Sequence, residues 1–351
     1  MAGTMDVIGV MSGSSLDGID LACCRFTWNG HWSFVVRAAR TVPYASALRQ
    51  RLLDASGASA LELVRLHRDV GQAIGEACRD LHHEVPAQLV ASHGHTIFHQ
   101  PAEGFTTQVG DGARIAVLSG LPTVCDLRTT DVALGGQGAP LVPMGERLLF
   151  PQYQAFLNLG GIANLAVHRA ERVVGYDIGP CNQALDLLAN EGGRPYDANG
   201  ELARSGTVHP GLLDRLNGLP FYAQAPPRSL GREWFEEHLR PLIASGQVPL
   251  NDRLRTTVEH IATMAARELD GQDADRVLVT GGGAHNGLLV ERLRALSKAV
   301  IEVPDRPLVD FKEAIVFGLL GLLRYRGEAN ALASVTGAER DSVGGALYLP
   351  G

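Results

Sequence analysis

The sequence contains little cysteine and no Cys-x-x-Cys pair. Its five cysteines are Cys23, Cys24, Cys78, Cys125 and Cys181. An odd number of cysteines without paired spacing argues against a disulfide framework and favours a reducing compartment. The first residues lead directly into a predicted strand and carry none of the features of a secretory signal peptide. We therefore expect a cytoplasmic protein.

The sequence also lacks a basic segment and a long apolar run. Lysine and arginine together number 31 and aspartate and glutamate 38, which gives a net charge of −7. Without a basic patch, a duplex nucleic-acid partner is not expected. The longest apolar run, residues 314–323, contains two glycines and is too short to span a bilayer. These absences exclude nucleic acid and membrane as expected partners and leave a small molecule.

The order of predicted elements repeats along the chain. Residues 7–11, 19–28 and 32–42 are predicted strands, with a hairpin turn at Asn29-Gly30, and alternating helices and short strands follow. The order strand, turn, strand, strand, helix recurs from residue 155 onward. An apolar content of 45% in 351 residues suits two cores rather than one. The sequence therefore predicts an α/β protein of two domains.

The predicted boundary between the two halves lies near residue 130, where no low-complexity linker marks it. We assign residues 1–130 and about 335–351 to an N-terminal domain. Residues 131–334 then form a C-terminal domain that contains a helix-rich insertion.

The stretch VIGVMSGSSLDGID, residues 7–20, has the strand-and-turn pattern of a phosphate loop but no basic residue. It lacks the lysine of a P-loop and the three spaced glycines of a dinucleotide fold. A similar turn of small residues spans 158–164. Such turns bind phosphate through backbone N–H groups while a metal ion supplies positive charge, and Asp17 is a candidate neighbour of that ion. Either turn alone is also typical of a plain hairpin, and it is the matching pair that favours a phosphate site.

Three successive glycines, Gly281, Gly282 and Gly283, follow the predicted strand 277–280. Glycines at a strand-to-helix junction let a ligand approach the backbone closely, which favours a nucleotide site. A flexible turn is the alternative interpretation of this segment.

Asp177 follows an apolar strand, residues 172–176, and precedes a Gly-Pro turn. Ligands of α/β sheets bind at the carboxyl ends of strands, where a carboxylate can act as a general base toward a hydroxyl group or a water. A helix N-cap is the alternative for an aspartate at this position. Asn182 suits that capping role better because it is closer to the predicted helix 183–188, on which Asp186 lies.

Three further segments carry candidate ligand contacts. His95 and His99 are four residues apart, as in zinc-binding helices, but the strand and the glycine before them argue against a helix and favour contacts with a substrate. Arg128 has the fork geometry that binds a carboxylate, and a surface salt bridge with Asp131 is the alternative. Glu313 begins the last predicted helix, where an acid can also simply complement the helix dipole.

Together these motifs resemble one family, the anhydro-N-acetylmuramic acid kinases. The resemblance follows the family's order over nearly the whole chain and rests on VMSGSSLDGID, ASHGHT, DLRTTDVALGGQGAPLVP, NLGGIANL, YDIGPCN, PPRSLGREWF, TGGGAHN and VTGA. It implies two ribonuclease-H-like domains around an ATP cleft, the fold of actin, sugar kinases and heat-shock chaperones. Family members use ATP and Mg²⁺ to open the 1,6-anhydro ring of a peptidoglycan sugar with water and to phosphorylate its 6-oxygen. The product, N-acetylmuramic acid 6-phosphate, enters cell-wall recycling, and a homodimer is usual.

The resemblance also implies roles for individual residues. It implies that Asp177 deprotonates the water that attacks the anomeric carbon, and that Asp17 lies near Mg²⁺. The implied ATP contacts are Gly13, Ser14, Ser15, Leu16, Asp17, Gly18, Ile19, Asp20, Asn158, Gly160, Gly161, Gly281, Gly282 and Gly283. The residues expected to face the sugar are His95, Thr96, Arg128 and Glu313, with Arg128 on the lactyl carboxylate.

Four positions depart from the commoner family pattern. Ser14 stands in place of threonine and keeps the hydroxyl group, and His95 stands in place of glutamine. Residues 177–182 read DIGPCN where the family reads DTGPGN, so Ile178 removes a hydroxyl group and Cys181 adds bulk beside the proposed base. These changes bear on which sugar the protein uses.

Three rival functions remain open at this point. One is a kinase of the same fold that acts on another amino sugar or anhydro-sugar. Another is a non-catalytic ATP-binding regulator, against which the retained Asp177 and both turns argue. The third is a metal-dependent hydrolase that would use His93, His95 and His99.

Overall fold

The computed structural model describes residues 3–13, 16–169, 173–226 and 228–351. The strands, in chain order, are β1 (Gly3–Met11), β2 (Gly18–Trp28), β3 (Trp32–Pro43), β4 (Leu89–Ser92), β5 (His95–Gln100), β6 (Phe105–Val109), β7 (Thr123–Cys125), β8 (Ala155–Leu159), β9 (Ile162–His168), β10 (Val173–Pro180), β11 (Arg276–Thr280), β12 (Val300–Glu302) and β13 (Ala346–Tyr348). The helices are α1 (Ser46–Leu53), α2 (Ala60–Glu84), α3 (Gly112–Ser119), α4 (Thr129–Ala133), α5 (Val142–Leu149), α6 (Asn182–Glu191), α7 (Glu201–Arg204), α8 (Pro210–Asn217), α9 (Arg232–Trp234), α10 (Arg240–Ile243), α11 (Leu250–Gly271), α12 (Gly287–Leu296), α13 (Arg306–Arg326) and α14 (Ala333–Thr336). A π-helical turn, Phe235–Leu239, joins α9 to α10.

The chain divides into two compact units. The first comprises Met1–Pro151 and Phe311–Gly351, and the second comprises Gln152–Asp310. The sequence predicted boundaries near residues 130 and 334, so the observed division differs at both ends. The physical reason is packing, because α5 lies against β3 and most of α13 lies against the sheet of the first unit.

The sheet of the first unit has six strands in the order β3-β2-β1-β4-β7-β13. β1, β2 and β3 form an antiparallel meander, β4 and β7 run parallel to β1, and β13 closes the edge antiparallel to β7. β5 and β6 form a separate antiparallel hairpin. The predicted turn at Asn29-Gly30 is confirmed, with Gly30 at a φ of 98° between β2 and β3.

The sheet of the second unit repeats this topology in the order β10-β9-β8-β11-β12. β8, β9 and β10 are antiparallel, and β11 and β12 are parallel to β8. A meander of three antiparallel strands followed by two parallel strands is the ribonuclease-H-like arrangement. The prediction of two α/β halves with the same element order is therefore confirmed.

The local structure follows from the sequence pattern. In α2, the Ser59 side chain accepts a hydrogen bond from the Glu62 N–H at 3.2 Å, which caps the helix, and apolar residues at spacings of three and four face the core. The five cysteines are all free and buried, as the lack of paired spacing predicted. Within the described residues we find no helix with the length and apolar content needed to cross a membrane.

The last long helix differs from its prediction. It begins at Arg306 and not at Glu313, and its dihedral angles leave the helical region at Phe311, with φ of −120° and ψ of 15°. The division between the two units falls at this same residue. Glu313 is therefore in the first turn after the kink and not at the start of the helix.

Close backbone contact holds α13 to the sheet of the first unit. A Cβ atom on Gly9, in β1, would lie 1.9 Å from the Ala314 carbonyl oxygen and 2.8 Å from the Gly318 nitrogen. Gly321 faces β4 in the same way, since its Cβ would lie 2.2 Å from Ala91 Cβ. Glycines at these positions let the helix backbone rest directly on the strands.

We expect Gly9→Ala to destabilise the protein strongly, because the added methyl group meets backbone atoms that cannot rotate away. Overpacking of this kind costs about 1–3 kcal/mol or more. Chemical denaturation of the variant should show a lower free energy of unfolding. Gly57→Ala is the matched control, since a Cβ there meets no atom within 4 Å; equal stability of the two variants would contradict the close packing at Gly9.

Candidate functional site

The first small-residue turn joins β1 to β2. The Leu16 N–H donates to the Gly13 carbonyl oxygen at 3.2 Å, and Leu16 adopts a φ of 56°, which is uncommon for a residue other than glycine. Among the described residues, no group accepts from the N–H of Gly13 or of Asp17. These N–H groups can therefore donate to an anion. Ser14 and Ser15, also predicted to contact ATP, lie outside the described residues.

The other residues predicted to contact ATP in this segment differ in their exposure. Leu16 and Ile19 are buried in the core of the first unit, so only their main-chain groups can meet a ligand. Gly18 packs against β3, where a Cβ atom would lie 2.5 Å from a carbonyl oxygen. The carboxylates are more accessible, with Asp17 exposed and Asp20 half-buried.

A buried chain of hydrogen bonds fixes the residue that precedes this turn. The Tyr44 hydroxyl donates to Ser12 Oγ at 2.6 Å, and Ser12 Oγ lies 2.8 Å from His95 Nδ1. Because Ser12 accepts from Tyr44, its own hydrogen can point to His95 Nδ1, which leaves the ring proton on Nε2. Burial lowers the pKa of His95 and favours the neutral ring. The chain thus connects the first turn to the segment predicted to contact the sugar.

Arg128 lies beside a neutral histidine. Its Nε donates to His93 Nε2 at 2.8 Å, and its Nη1 donates to the Gly138 carbonyl oxygen at 2.7 Å. Since His93 Nε2 accepts, its proton is on Nδ1, 3.0 Å from the Gly94 carbonyl oxygen. Burial and the adjacent guanidinium lower the pKa of His93 to about 3. No described group accepts from Arg128 Nη2, so this end of the fork remains available to a ligand.

The alternative pairing of Arg128 with Asp131 is not formed. Asp131 is fully buried, accepts from the Gly138 N–H at 2.7 Å, and accepts from the Thr336 hydroxyl at 2.7 Å. Its carboxylate therefore holds the glycine-rich loop after α4. This loop in turn supplies the carbonyl oxygen that orients Arg128.

Glu313 is exposed to solvent in the first unit. Desolvation raises its pKa, while the charges of Lys312 and Arg128 oppose that rise and those of Asp20 and Glu146 add to it. Lys312 and Glu146 form a buried pair, with Nζ 2.8 Å from Oε1. The structure thus brings Glu313, Arg128 and Asp20 into one electrostatic neighbourhood of the first unit.

The expectation that the histidine segment is not a zinc-binding helix is confirmed, since His95–Gln100 is strand β5. His99 Nδ1 lies 3.1 Å from Thr106 Oγ1, away from the Ser12 contact of His95. Thr96 is half-buried and accepts from the Gln108 side chain at 3.3 Å. In the part of the chain that the structure describes, no three His, Cys, Asp or Glu side chains are grouped to hold a metal ion. The metal-dependent hydrolase therefore finds no support in the described side chains.

The second small-residue turn joins β8 to β9 in the second unit. The Gly161 carbonyl oxygen accepts from the Cys181 N–H at 2.8 Å, and that of Gly160 accepts from the Asn182 N–H at 3.1 Å. The N–H groups at the start of α6 are thus occupied. In contrast, no described group accepts from the N–H of Gly160 or Gly161, and Gly161 is exposed. These two donors are free for an anion.

The three glycines after β11 pack against this turn. A Cβ atom on Gly281 would lie 2.5 Å from Asn158 Oδ1, and one on Gly283 would lie 2.8 Å from Leu159 Cβ. Gly282 is more open. Because β8 and β11 are parallel neighbours, their carboxyl ends meet at one edge of the sheet. The structure thus brings two predicted nucleotide segments together within the second unit.

Asp177 lies inside β10 and not at its end, because the strand continues to Pro180. The pairing with β9 shifts between Asp177 and Gly179, so Ile178 is the extra residue of a β-bulge. Bulges change the direction of side chains and are frequent next to active sites. The carboxylate is half-buried. Burial raises its pKa, against the lowering effect of hydrogen bonds from the Leu230 N–H and the Ser229 side chain.

Ile178 and Cys181, the two residues near Asp177 that depart from the family pattern, point into the core. Ile178 is 1% exposed and Cys181 is fully buried, so these side chains pack inside the unit. The prediction that Asn182 caps α6 is wrong: the N-cap is Cys181, without a side-chain hydrogen bond, and Asn182 Nδ2 donates to the Leu159 carbonyl oxygen at 3.0 Å. Asp186 is on α6 as predicted, and burial raises its pKa to about 6.

Sequence reasoning missed the residues that contact Asp177. Leu230 donates its N–H to Asp177 Oδ2 at 2.9 Å, although the two residues are 53 positions apart. Leu230 belongs to the segment PPRSLGREWF, for which the sequence predicted no role. Nothing in the sequence indicated which strand this segment would meet.

Two ribonuclease-H-like units with glycine-rich turns define the class of fold that actin and sugar kinases share. The sequence matches the family model for anhydro-N-acetylmuramic acid kinase over residues 5–350. The chain belongs to this family.

Relatives with this name are similar over their whole length. A protein of Gloeobacter violaceus named anhydro-N-acetylmuramic acid kinase is 38% identical, with 95% of this chain and 96% of that protein aligned. Proteins of the same name from Variovorax paradoxus and Vibrio cholerae are 38% and 37% identical, over 99% and 98% of this chain and 100% and 98% of theirs. A solved glucokinase of Streptomyces griseus is 13% identical, with a TM-score of 0.43, over 90% of this chain and 98% of its own.

We expect Ser12→Ala to destabilise the protein more than Tyr44→Phe. The first variant leaves both the Tyr44 hydroxyl and His95 Nδ1 buried without their partner, which costs about 2–4 kcal/mol in total. The second removes one donor and preserves the bond between Ser12 and His95, at about 1 kcal/mol. Free energies of unfolding from urea titrations would test the order, and a reversed order would contradict the hydrogen-bond chain.

Proposed function

We propose that this protein is an ATP-dependent anhydro-N-acetylmuramic acid kinase. It opens the 1,6-anhydro ring of its sugar with water and phosphorylates the 6-oxygen, which gives N-acetylmuramic acid 6-phosphate for cell-wall recycling. The single observation that carries the mechanism is the half-buried Asp177 carboxylate, held at a bulge in β10 and with a raised pKa. Family membership supports the choice of sugar.

In the proposed reaction, Asp177 takes a proton from a water molecule. The water oxygen bonds to the anomeric carbon as the bond from that carbon to the 6-oxygen breaks. The released 6-oxygen takes the γ-phosphoryl group of ATP, and ADP leaves. Burial raises the pKa of Asp177, and a carboxylate with a raised pKa is a better general base than an ordinary aspartate.

The nucleotide would be bound mainly by backbone donors. The N–H groups of Gly13, Gly160 and Gly161, which have no described partners, would donate to phosphate oxygens. The segment Gly281–Gly283 would lie beside the adenosine, with Gly282 offering the closest approach. Such donors position the phosphates without adding a side-chain charge.

ATP would arrive as its magnesium complex. The described side chains contain no group of three ligands for a resident metal, which fits an ion carried mainly by phosphate oxygens and water. The exposed Asp17 carboxylate would contact the ion or its waters. The ion supplies charge neutralisation for the transferred phosphoryl group.

The sugar would meet the polar groups of the first unit. Arg128 Nη2, which has no described acceptor, would bind the lactyl carboxylate, and Glu313, Thr96 and His95 would contact ring substituents. The rival that acts on another sugar gains no support from the relatives described above, which share one name. A homodimer and a cytoplasmic location, which the family resemblance implies, stay predictions.

We expect Asp177→Asn to lower kcat by about 100-fold or more while ATP binding is preserved, because the amide cannot accept the proton of the water. Mass spectrometry of the sugar product and calorimetry with ATP would measure the two properties. Asp214→Asn is the matched control, since this residue lies on α8 without a described side-chain contact. A substantial rate in Asp177→Asn would show that another group is the base.

We expect Arg128→Ala to raise the KM for the sugar by about 10-fold to 100-fold, as loss of a charge-assisted pair predicts. The KM for ATP should change little. The test compares the normal sugar with an analogue that lacks the lactyl carboxylate, and Arg65→Ala, at an exposed position of α2, is the control. If Arg128→Ala impairs both sugars equally, the carboxylate contact is contradicted.

A further inference from the structure

The strand that carries Asp177 is an edge strand of its sheet. β10 stands at the end of the order β10-β9-β8-β11-β12, with β9 as its neighbour. The N–H and carbonyl groups on the outer side of an edge strand have no further strand to pair with. The shift in pairing between Asp177 and Gly179 also falls at this place. Outward-facing groups of the β10 backbone therefore need partners from outside the sheet.

One residue, Arg228, supplies both partners at Asp177. The Asp177 N–H donates to the Arg228 carbonyl oxygen at 3.0 Å. In return, Arg228 Nε donates to the Asp177 carbonyl oxygen at 3.2 Å. The main chain and the side chain of Arg228 thus take the place of a neighbouring strand, and they hold Asp177 at its N–H and at its carbonyl group.

The segment that begins at Arg228 also reaches the carboxylate of Asp177. The Leu230 N–H donates to Asp177 Oδ2 at 2.9 Å. Because Leu230 is only two residues after Arg228, the place of this N–H depends on where Arg228 is held. A carboxylate has about four acceptor positions, so the bond restricts its rotation and leaves room for a water.

Arg228 is itself fixed in the core of the second unit. The residue is 8% exposed, its Nη1 donates to the Gln224 carbonyl oxygen at 2.5 Å, and its Nη2 lies 2.8 Å from Glu268 Oε1 on α11. Its guanidinium carbon lies 5.0 Å from the centre of the Phe221 ring and 5.5 Å from that of Tyr176. Cation–π contacts of this kind stabilise a desolvated cation. The groups that Arg228 offers to β10 therefore have fixed positions.

We propose that Arg228 is a positioning residue, which fixes the outer edge of β10 and thereby orients the Asp177 carboxylate toward the reacting water. This inference rests on the proposed function of Asp177 as the base. The contacts of Arg228 are with the main chain of the base. A change at Arg228 should therefore lower kcat more than it changes the binding of sugar or ATP.

Arg253, on α11, is a matched control within the same unit. It is 6% exposed, and its Nε and Nη1 donate to the carbonyl oxygens of Val248 and Ile243 at 3.0 and 2.9 Å. Its Nη2 lies 2.7 Å from Glu191 Oε2. Arg253 thus has the same kind of partners as Arg228, two carbonyl oxygens and a glutamate, but none of its described hydrogen bonds is with β10.

The test compares the kinetics of Arg228→Lys and Arg253→Lys. Lysine keeps the positive charge but has a methylene group where arginine has Nε, so each variant loses one donor to a carbonyl oxygen. We expect kcat of Arg228→Lys to fall by about 10-fold to 100-fold, because a small displacement of a catalytic group slows a reaction by this order. The KM values for sugar and ATP should change less than about twofold. All three constants should stay near the wild-type values in Arg253→Lys.

A second variant removes the same donor without depending on how well lysine is tolerated. Arg228→Gln combined with Glu268→Gln leaves no unpaired buried charge, and it should show the same fall in kcat. Circular dichroism of each variant checks that it is folded. A wild-type kcat in the folded variants would overturn the inference, and so would a higher KM for the sugar without a lower kcat.

Asp177→Asn separates failure of this inference from failure of the proposed function. If Arg228 acts through the base, adding Arg228→Lys to Asp177→Asn should lower the residual rate less than about twofold. A full further loss would show that Arg228 acts elsewhere, and would overturn the inference while Asp177 remains the base.

A measurement without turnover tests the positioning role even if Asp177→Asn alone keeps a substantial rate, which would overturn Asp177 as the base. Amide hydrogen exchange, followed by nuclear magnetic resonance, reports how firmly the Asp177 N–H is held. We expect exchange at Asp177 to be about 10-fold faster or more in Arg228→Lys than in Arg253→Lys. Equal exchange rates in the two variants would contradict the positioning role of Arg228.

Discussion

In each unit, glycines allow two main-chain segments to touch, because a side chain at the same position would hold the segments apart. In the first unit, Gly9 lets α13 rest on β1, with the contact at Ala314, the residue after Glu313. In the second unit, Gly281 and Gly283 let the loop after β11 close onto Leu159 beside the turn of the parallel neighbour strand. Any Cβ atom at these positions would push apart elements that carry candidate ligand contacts.

Within the first unit, the charges are arranged so that few of them compete with a ligand. His93 is neutral, since its pKa is lowered to about 3, and it accepts from Arg128 without consuming its charge. Lys312 and Glu146 neutralise each other in the interior. The guanidinium of Arg128 thus keeps its positive charge, and its Nη2, which has no described acceptor, can donate to an anion.

Sequence reasoning predicted the repeated α/β order because hydrophobic periodicity and turn residues are local signals. The strands β2 and β3 were predicted within one residue of their observed bounds, whereas β1 begins four residues before its predicted start. The end of β10 was missed because its Gly-Pro pair is typical of a turn, whereas a bulge after Asp177 keeps the strand paired. The unit boundaries were missed because they depend on where α5 and α13 pack, which no local pattern contains.

In the candidate site too, features that depend on neighbouring residues were predictable from the sequence, and contacts between distant residues were not. Glycine-rich turns and an acid beside an apolar stretch are recognisable from their neighbours in the sequence, so both turns and Asp177 could be chosen as candidates. The capping role of Asn182 was wrong because its amide reaches Leu159, a residue that only the folded sheet brings near. The contacts of Arg228 and Leu230 with Asp177 join residues about fifty positions apart in the sequence, and such distant pairs produce no periodic pattern.

The environment of Asp177 also explains why hydrogen bonds, and not a cation, stabilise the carboxylate. An adjacent unpaired cation would lower the pKa of Asp177 and weaken it as a base. Burial acts in the opposite direction, because desolvation disfavours the charged carboxylate and raises its pKa. Hydrogen bonds oppose the effect of burial without cancelling it, so the pKa of Asp177 stays raised, as suits a general base. Arg228 donates from Nε to the main-chain oxygen of Asp177. Because Glu268 pairs with Arg228 and neutralises its charge, this guanidinium does not act as an unpaired cation beside the carboxylate.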